Sequence, residues 1–532
     1  MKPVRRHPAV GIGMILAGVL CFAYSYGAVW LIAIGGAIAG MAMRPLRRRG
    51  VIPQSGRCLW IGDPVARVMA VPAGVLLLAL AWAWPDAALL TVVYVVGGAL
   101  IVKGMVYLRF LFAKMPFQIT QRPTVRFARL QAGAVLLGAV VLCAASVAAH
   151  IKTPRPDSFY HWDAPIPAEA GQLLRAEPIR AKLPANVGCW RILYTTTLDE
   201  ADTPAVASAV VFAPLADMAA PLIAWAHGTT GIVSHAAPSV MLSYEALALS
   251  IPAFEAAMQN GWGIVATDYA GIGAEGVSPY LIGQGEARSV LDSLRAARQL
   301  RVFMEGKAAA AGETKRTDES AIPPLFTEKA VVWGHSQGGH AAMWTGILAS
   351  AYAPDAGVLG IAAAAPATDL PALLVNSQKH FVGKALGAYA LYAYAYAYPD
   401  VHVAEYIPIA LWPVLKPIAH RAVGEPGILV SVVSAMSIRG AIYSRDPLEG
   451  AYGARLMENV PDAAINMPLF IAQGAADPLI TQNVQDAFVA RLRANGQDVA
   501  YAVYPGDHMT VLDAASGFPD ALVAWTNARM AE

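Results

Sequence analysis

Hydrophobic positions follow two different patterns along the chain. Through the first 150 residues they form long unbroken runs near 8–25, 28–43, 68–83, 87–108 and 130–149. Each run approaches the roughly 20 apolar residues that carry a helix across a bilayer. The expectation is an all-α region of about five transmembrane helices over residues 1–150. The first two runs, joined by a tight turn at 24–27, could instead form a re-entrant hairpin. Lys2, Arg5 and Arg6, then Arg44, Arg47, Arg48, Arg49, Arg57 and Arg67, then Lys103, Arg109, Lys114, Arg122, Arg126 and Arg129 all fall on one side, whereas the loops around Ser25 and Asp86 carry no basic residue. Basic loops stay inside, so the amino terminus is expected in the cytoplasm. An odd number of crossings then places everything after His150 outside it. Gly35-Gly36 and Gly97-Gly98 suit close packing of helices, and no acidic residue or histidine recurs as an ion path would require. The fifth run has a second reading. Arg126 and Arg129, the apolar stretch 130–142 and Ala145-Ser146-Val147-Ala148 also have the form of an internal signal peptide, whose cleavage near Ala148 would release the remainder of the chain. An intact anchor is the default.

After residue 150 the period shortens. Residues 151–188 are rich in Pro and Ala, begin with Pro154-Arg155-Pro156, and read as an extended linker and lead-in. Over 189–532, short β-branched runs at 190–197, 205–213, 221–226, 263–266, 330–333, 358–364, 468–473 and 499–504 alternate with helical stretches. That alternation predicts an α/β domain with a mostly parallel sheet and crossover helices on both faces. The rhythm breaks at about 370–461, a long apolar and helix-like segment placed where a cap would be inserted. Its Tyr/Ala tract at 389–398 suits buried packing and the lining of an acyl pocket equally. The polar stretch 306–320 reads as a solvated surface loop.

Composition agrees with a membrane part: 56% of the 532 residues are hydrophobic and 14% charged, unusually apolar for a soluble protein. The net charge of +2 and the lack of a basic block in the last 380 residues exclude nucleic acid as a partner. Of the four cysteines, Cys21, Cys58 and Cys143 lie in the first part and Cys189 stands alone in the second, so neither a disulfide framework nor a CxxC metal site is implied.

The chemistry concentrates in Gly334-His335-Ser336-Gln337-Gly338. This G-x-S-x-G follows the apolar strand 330–333 and precedes the helix-forming run from Ala341, the context of a nucleophile elbow. Gly334 and Gly338 let the chain turn sharply and expose the Ser336 hydroxyl. A serine needs an imidazole to take its proton, and the imidazole needs an acid to hold its tautomer. His508 follows the strand 499–504, and Asp477 follows the strand 468–473 in the turn Gly474-Ala475-Ala476-Asp477-Pro478. The order Ser, Asp, His is that of an α/β-hydrolase fold. Asp507 and Asp369 remain alternatives for the acid, and His340 reads as packing or solvent-facing. An oxyanion needs two preorganised backbone donors. The Gln337 amide is expected to supply one, and the Thr229 amide, in His227-Gly228-Thr229-Thr230-Gly231 after the strand 221–226, the other.

Together with 190–197 and Thr267-Asp268-Tyr269-Ala270-Gly271-Ile272-Gly273, these motifs resemble the secretory lipase family of α/β-hydrolases, from about Ala168 to the carboxyl terminus. The resemblance implies hydrolysis of acylglycerols and other carboxylic esters by Ser336, Asp477 and His508, with a structural role for Asp268. The chain departs from that family, whose members are typically secreted and soluble, in its fused multi-helix membrane region. The function expected is a membrane-anchored serine ester hydrolase working outside the cytoplasm through an acyl-enzyme on Ser336. It would need no metal or organic cofactor, and its partners are an ester or lipid substrate and the bilayer. Two alternatives are an acyltransferase using the same residues and a lipid-handling or scaffold protein whose hydrolase domain is accessory.

Overall fold

Strands that are apolar at every position, rather than at alternate ones, must be covered on both faces. The structure, a computed structural model, shows how this is met. It describes residues 153–532 apart from 217, 312–321, 379–380, 426–437 and 439. The five predicted spans, their basic loops and the cleavage motif at Ala148 lie outside the described residues. Among those described, no helix is long and apolar enough to cross a membrane. The chain divides into two compact units. One comprises Met1–Thr153, Pro408–Pro417 and Leu429–Arg439, and of it the structure describes little more than a 3-10 turn, Ile409–Leu411, and most of the helix Trp412–Ala419.

The other unit, Pro154–Ile407, Ile418–Ile428 and Gly440–Glu532, is built on a nine-stranded sheet. Its strands are β1 (Leu173–Pro178), β2 (Val187–Thr197), β3 (Pro204–Pro214), β4 (Ala220–Ala226), β5 (Gly263–Ala270), β6 (Phe326–His335), β7 (Val358–Ala364), β8 (Leu469–Gly474) and β9 (Val499–Tyr504), in the order β1-β2-β3-β5-β4-β6-β7-β8-β9. From β1 to β5 the pairs are antiparallel, and from β5 to β9 they are parallel. Successive residues of β6 separate two cores. Ala330 and Val332 join one with Val290 and Leu294 of α1 (Gly283–Arg298) and Met343 of α2 (Gln337–Tyr352). Val331 and Trp333 join the other with Phe254, Met258 and Phe518. Burial of each such large side chain contributes about 1.5–3 kcal/mol. The Trp333 indole N–H, which would be costly to bury unpaired, donates to Thr526 at 3.0 Å. The result is a mostly parallel sheet with helices on both faces, as the alternating pattern predicted.

Two expectations need correction. Residues 151–188 are more than a linker, because Leu173–Pro178 forms strand β1, antiparallel to β2, and Phe159 and Tyr160 are buried beneath it. The strand escaped notice because it is a short edge strand. Such edges carry charge to block further pairing, and here Arg175 and Glu177 interrupt the apolar run. Glu177 pairs with Arg191 of β2 at 2.7 Å. The loop expected at 306–320 begins as helix, since Leu300–Ala310 is helical; 312–321 lies outside the described residues.

Between β7 and β8 the chain leaves the sheet and forms α3 (Leu370–Ser377), α4 (Phe381–Ala397) and α5 (Ala451–Glu458). After β8 come α6 (Gln482–Ala494) and, after β9, α7 (Phe518–Met530). Packing is very tight where α2 begins. A Cβ on Gly338 would overlap the carbonyl oxygen of Ala226 in β4, and one on Gly334 the carbonyl oxygen of Gly338. Gly338→Ala is therefore expected to destabilise the fold by several kcal/mol, on the order of 3, seen as a lowered thermal midpoint. A variant as stable as the parent would show that the helix can withdraw from the sheet.

Candidate active site

The strand-to-helix turn from β6 into α2 forces its central residue into an unusual conformation. Ser336 has φ 56 and ψ −117, a region that a side-chain-bearing residue occupies only when its surroundings over-determine it. Its N–H donates to Ala364 of β7 at 3.0 Å, and its hydroxyl stands clear of the backbone at the carboxyl edge of the sheet.

The three sequence-predicted residues Ser336, His508 and Asp477 come together there. His508 Nε2 lies 2.9 Å from Ser336 Oγ, and His508 Nδ1 lies 2.7 Å from Asp477 Oδ2. Asp477 is buried, and its other oxygen accepts the backbone N–H groups of Leu479 at 2.8 Å and Ile480 at 2.9 Å. A carboxylate so held turns Oδ2, which also accepts the Gln473 side-chain amide at 3.3 Å, to the imidazole and fixes Nδ1 as the protonated nitrogen. The alternative acids are engaged elsewhere. Asp507 accepts from the N–H groups of Met509 and Thr510 in its own turn. Asp369 caps α3 through Ala372 N and pairs with Arg491.

Gln337 is the first residue of α2, and Thr229 lies on the loop leaving β4. Both line one cavity together with Ser336 and His508. A Cβ on Gly228 would stand 3.2 Å from His335 Nδ1 and 3.6 Å from Ser336 Cβ, so the loop passes in close contact with the elbow. Thr229 Oγ1 bonds the Tyr280 hydroxyl at 3.0 Å. His227 is buried in the same loop, its O accepting from Tyr269 OH and its ring against the Tyr269 ring. Burial pulls its pKa down to about 4, so the ring stays neutral.

Sequence reasoning passed over His335. Its Nε2 is 2.8 Å from the backbone oxygen of His508. Because a carbonyl only accepts, this nitrogen carries hydrogen and tethers the loop bearing the imidazole. Burial, reinforced by the neighbouring His508, lowers the His335 pKa to about 3, so the tether is uncharged. The preceding-residue position inside G-x-S-x-G was the available signal. His340 is neither solvent-facing nor simple packing, as it is fully buried with both ring nitrogens engaged.

The cavity is open to solvent and spans about 770 Å³, its open mouth included. Leu370 and Leu374 of α3, Leu386 and Ala390 of α4, Leu456 of α5 and Ile480 wall it, so it is mostly apolar, with Asn376, Tyr280, Thr229 and Gln337 adding polar groups to Ser336 and His508. The Tyr/Ala tract is thereby divided. Ala390 faces the cavity, while Tyr389 and Tyr394 are packed with their hydroxyls donating to Arg421 O and Leu281 O, each at 2.7 Å. Among the described residues no cluster of His, Cys, Asp or Glu could hold a metal ion.

A serine at such an elbow, on this strand order, with an imidazole and a buried carboxylate behind it, defines an α/β-hydrolase. Residues 239–532 match the family described as secretory lipase, and the chain belongs to that family. It is accordingly a carboxylic ester hydrolase. Similar solved structures include the rice cell wall degrading esterase LipA from Xanthomonas oryzae, at 18% identity over 66% of this chain and 98% of that one, with a TM-score of 0.53. Lipase A from Candida antarctica in its closed state is 18% identical over 67% of this chain and 82% of its own, with a TM-score of 0.51. At this identity the likeness is one of fold. No curated protein matches the sequence.

Asp268, at the end of β5, accepts from Ser208 Oγ at 2.6 Å and from the N–H of Ser239 at 3.0 Å. Burial nevertheless raises its pKa from 3.8 to about 6. The folded chain thus holds this proton more tightly than the unfolded chain. Between pH 3.8 and about 6 the native state binds more protons, and stability falls as pH rises. Asp268→Asn is expected to flatten that part of the pH–stability curve, by on the order of 2–3 kcal/mol. Parallel thermal melts of parent and variant from pH 4 to 7 would show it, and curves of identical slope would refute it.

Proposed function

We propose that this chain is a membrane-anchored serine ester hydrolase that works outside the cytoplasm through an acyl-enzyme on Ser336. The observation carrying the chemistry is the hydrogen-bonded series Ser336–His508–Asp477 at the floor of an apolar cavity. His508 Nε2 takes the Ser336 proton as Oγ attacks the ester carbonyl, and Asp477 orients the ring and stabilises its charged form. The backbone N–H groups of Gln337 and Thr229 receive the oxyanion. His508 then returns the proton to the departing alcohol. In the second half-reaction His508 deprotonates a water that attacks the acyl-enzyme, the bond to Ser336 Oγ breaks as His508 returns the proton to it, and the carboxylic acid leaves. Every group required is a side chain or amide of the chain itself, so the cycle runs without metal or organic cofactor. The apolar walls suit the acyl group of the ester, because burying each methylene contributes about 0.8 kcal/mol.

The anchor rests on the five apolar runs and the one-sided basic loops of the first 150 residues. It would hold the cavity close to lipidic esters.

Hydrolysis of p-nitrophenyl esters of graded acyl length by the full chain in detergent tests the chemistry. Ser336→Ala should lower kcat by about a thousandfold or more, and a mutant equal to the parent would sink the assignment. The location has its own test. The chain should stay with membranes through alkaline carbonate washing, and protease added from the extracytoplasmic side should digest the hydrolase. A soluble product beginning just after Ala148 would instead establish the released form, and digestion from the cytoplasmic side alone would reverse the orientation.

A further inference from the structure

Beneath the elbow lies a second polar cluster that the ester-hydrolysis cycle does not use. Glu286, in the first turn of α1, and His340, in the first turn of α2, are both completely buried. Their contact is short, His340 Nδ1 to Glu286 Oε2 at 2.6 Å. On its other side His340 Nε2 is 2.8 Å from the backbone oxygen of Asn459. That oxygen can only accept, so Nε2 carries a hydrogen. The Nδ1–Oε2 contact then needs one further proton between the two atoms, on the ring or on the carboxyl. Either way the pair has no net charge, which is how two ionisable groups tolerate complete burial.

The second oxygen of the carboxyl does two things. Glu286 Oε1 accepts the Gln337 side-chain amide at 2.9 Å and the backbone N–H of Leu281 at 2.8 Å. Both residues line the cavity beside Ser336. Leu281 is held in a left-handed conformation, φ 55, with its carbonyl oxygen taken by Tyr394 OH of α4. Asn459, just beyond α5, closes the cluster. Its carbonyl oxygen also accepts the Trp344 indole N–H, its side-chain oxygen accepts Gly283 N at the start of α1, and its amide donates to Tyr398 OH.

We infer that Glu286 and His340 are positioning residues, a charge-neutral clasp that aims the Gln337 amide and the Leu281 wall at the reacting ester and joins both to the helical insertion through Asn459. The inference rests on the ester-hydrolase reading of the site. Gln337 can deliver its backbone N–H to an oxyanion whatever its side chain. What the side chain adds is an anchor that keeps the first turn of α2 from rotating. A donor displaced by a fraction of an ångström loses much of its worth, because its contribution depends on being aimed before the charge develops.

Glu286→Gln can preserve the whole pattern. Its carbonyl oxygen accepts from Gln337 and Leu281, and its amide donates to a neutral His340 Nδ1. Glu286→Ala removes the clasp, and Gln337→Ala removes only what it grips. With the full chain and a p-nitrophenyl ester, Glu286→Ala and Gln337→Ala should each lower kcat about tenfold or more while KM moves less than about threefold, and Glu286→Gln should keep kcat within about threefold of the parent. Thermal melts identify a variant that has failed to fold; if Glu286→Ala does, Gln337→Ala decides. Parent-level kcat in folded Gln337→Ala, a loss confined to KM, or a Glu286→Gln as impaired as Glu286→Ala would overturn the inference. Failure of the hydrolase reading looks different, since Ser336→Ala would then match the parent.

Discussion

The site depends on how closely one helix can approach two strands. The first turn of α2 lies against β4 and β6 with no room for a single methyl group at Gly338 or Gly334. This proximity draws the chain tight at Ser336 and gives it a positive φ. The serine hydroxyl is thereby turned out, and Gln337 is left as the first helical residue, lining the same cavity. Because β4 and β6 pair in parallel, with Ala226 opposite Gly334, the loop bearing Thr229 leaves the sheet beside the elbow. Parallel pairing of β7, β8 and β9 brings the loops with Asp477 and His508 to the same edge, the place where open α/β sheets gather their functional loops.

Polar groups in the interior connect elements that hydrophobic packing alone would leave free to slide. Asp268 ties β5 to β3 and to the short helix Pro238–Met241 through two serines. His235 receives Arg155 on Nδ1 and meets Glu425 with Nε2 at 2.8 Å, so three distant stretches of chain converge on one ring. The N–H of Val423 reaches Thr230 O at 2.7 Å, which sets a segment of the insertion directly against the loop holding Thr229. Such contacts add little net stability, yet they exclude alternative arrangements because each leaves costly unpaired groups when broken.

What could be read from the residues and what could not divide along physical lines. The central strands were legible because a strand covered on both faces, such as β7 or β8, shows an almost unbroken apolar run. Gly334 to Gly338 was legible because the turn tolerates few residue types. Strand β1 was hidden, since an edge strand owes its existence to one neighbour and carries Arg175 and Glu177 for protection. Asp477 was legible as the acid from its turn after β8, and the hydrogen bonds of the folded chain show how Asp507 and Asp369, which also follow strand ends, are engaged elsewhere. The buried Glu286–His340 pair gave no signal at all: its members lie 54 positions apart on helices whose polar residues look like ordinary surface positions.

The helical insertion begins and ends on neighbouring strands. β7 and β8 are parallel neighbours, Ile361 opposite Leu469 and Ala364 opposite Ala472, so the sheet itself fixes the two ends of the crossover, about 10 Å apart along the strands and roughly 4.8 Å apart across them. Closing a loop between fixed ends costs only about 0.6 kcal/mol more for each doubling of its length. The segment over the cavity can therefore be lengthened or shortened with small effect on the sheet, provided it again covers the apolar walls and keeps the contacts of Asn459 and Tyr394. The part of the insertion that walls the cavity and the part that grips the core through Asn459 are thus under different constraints, the first free to vary in length and the second tied to the helices beneath it.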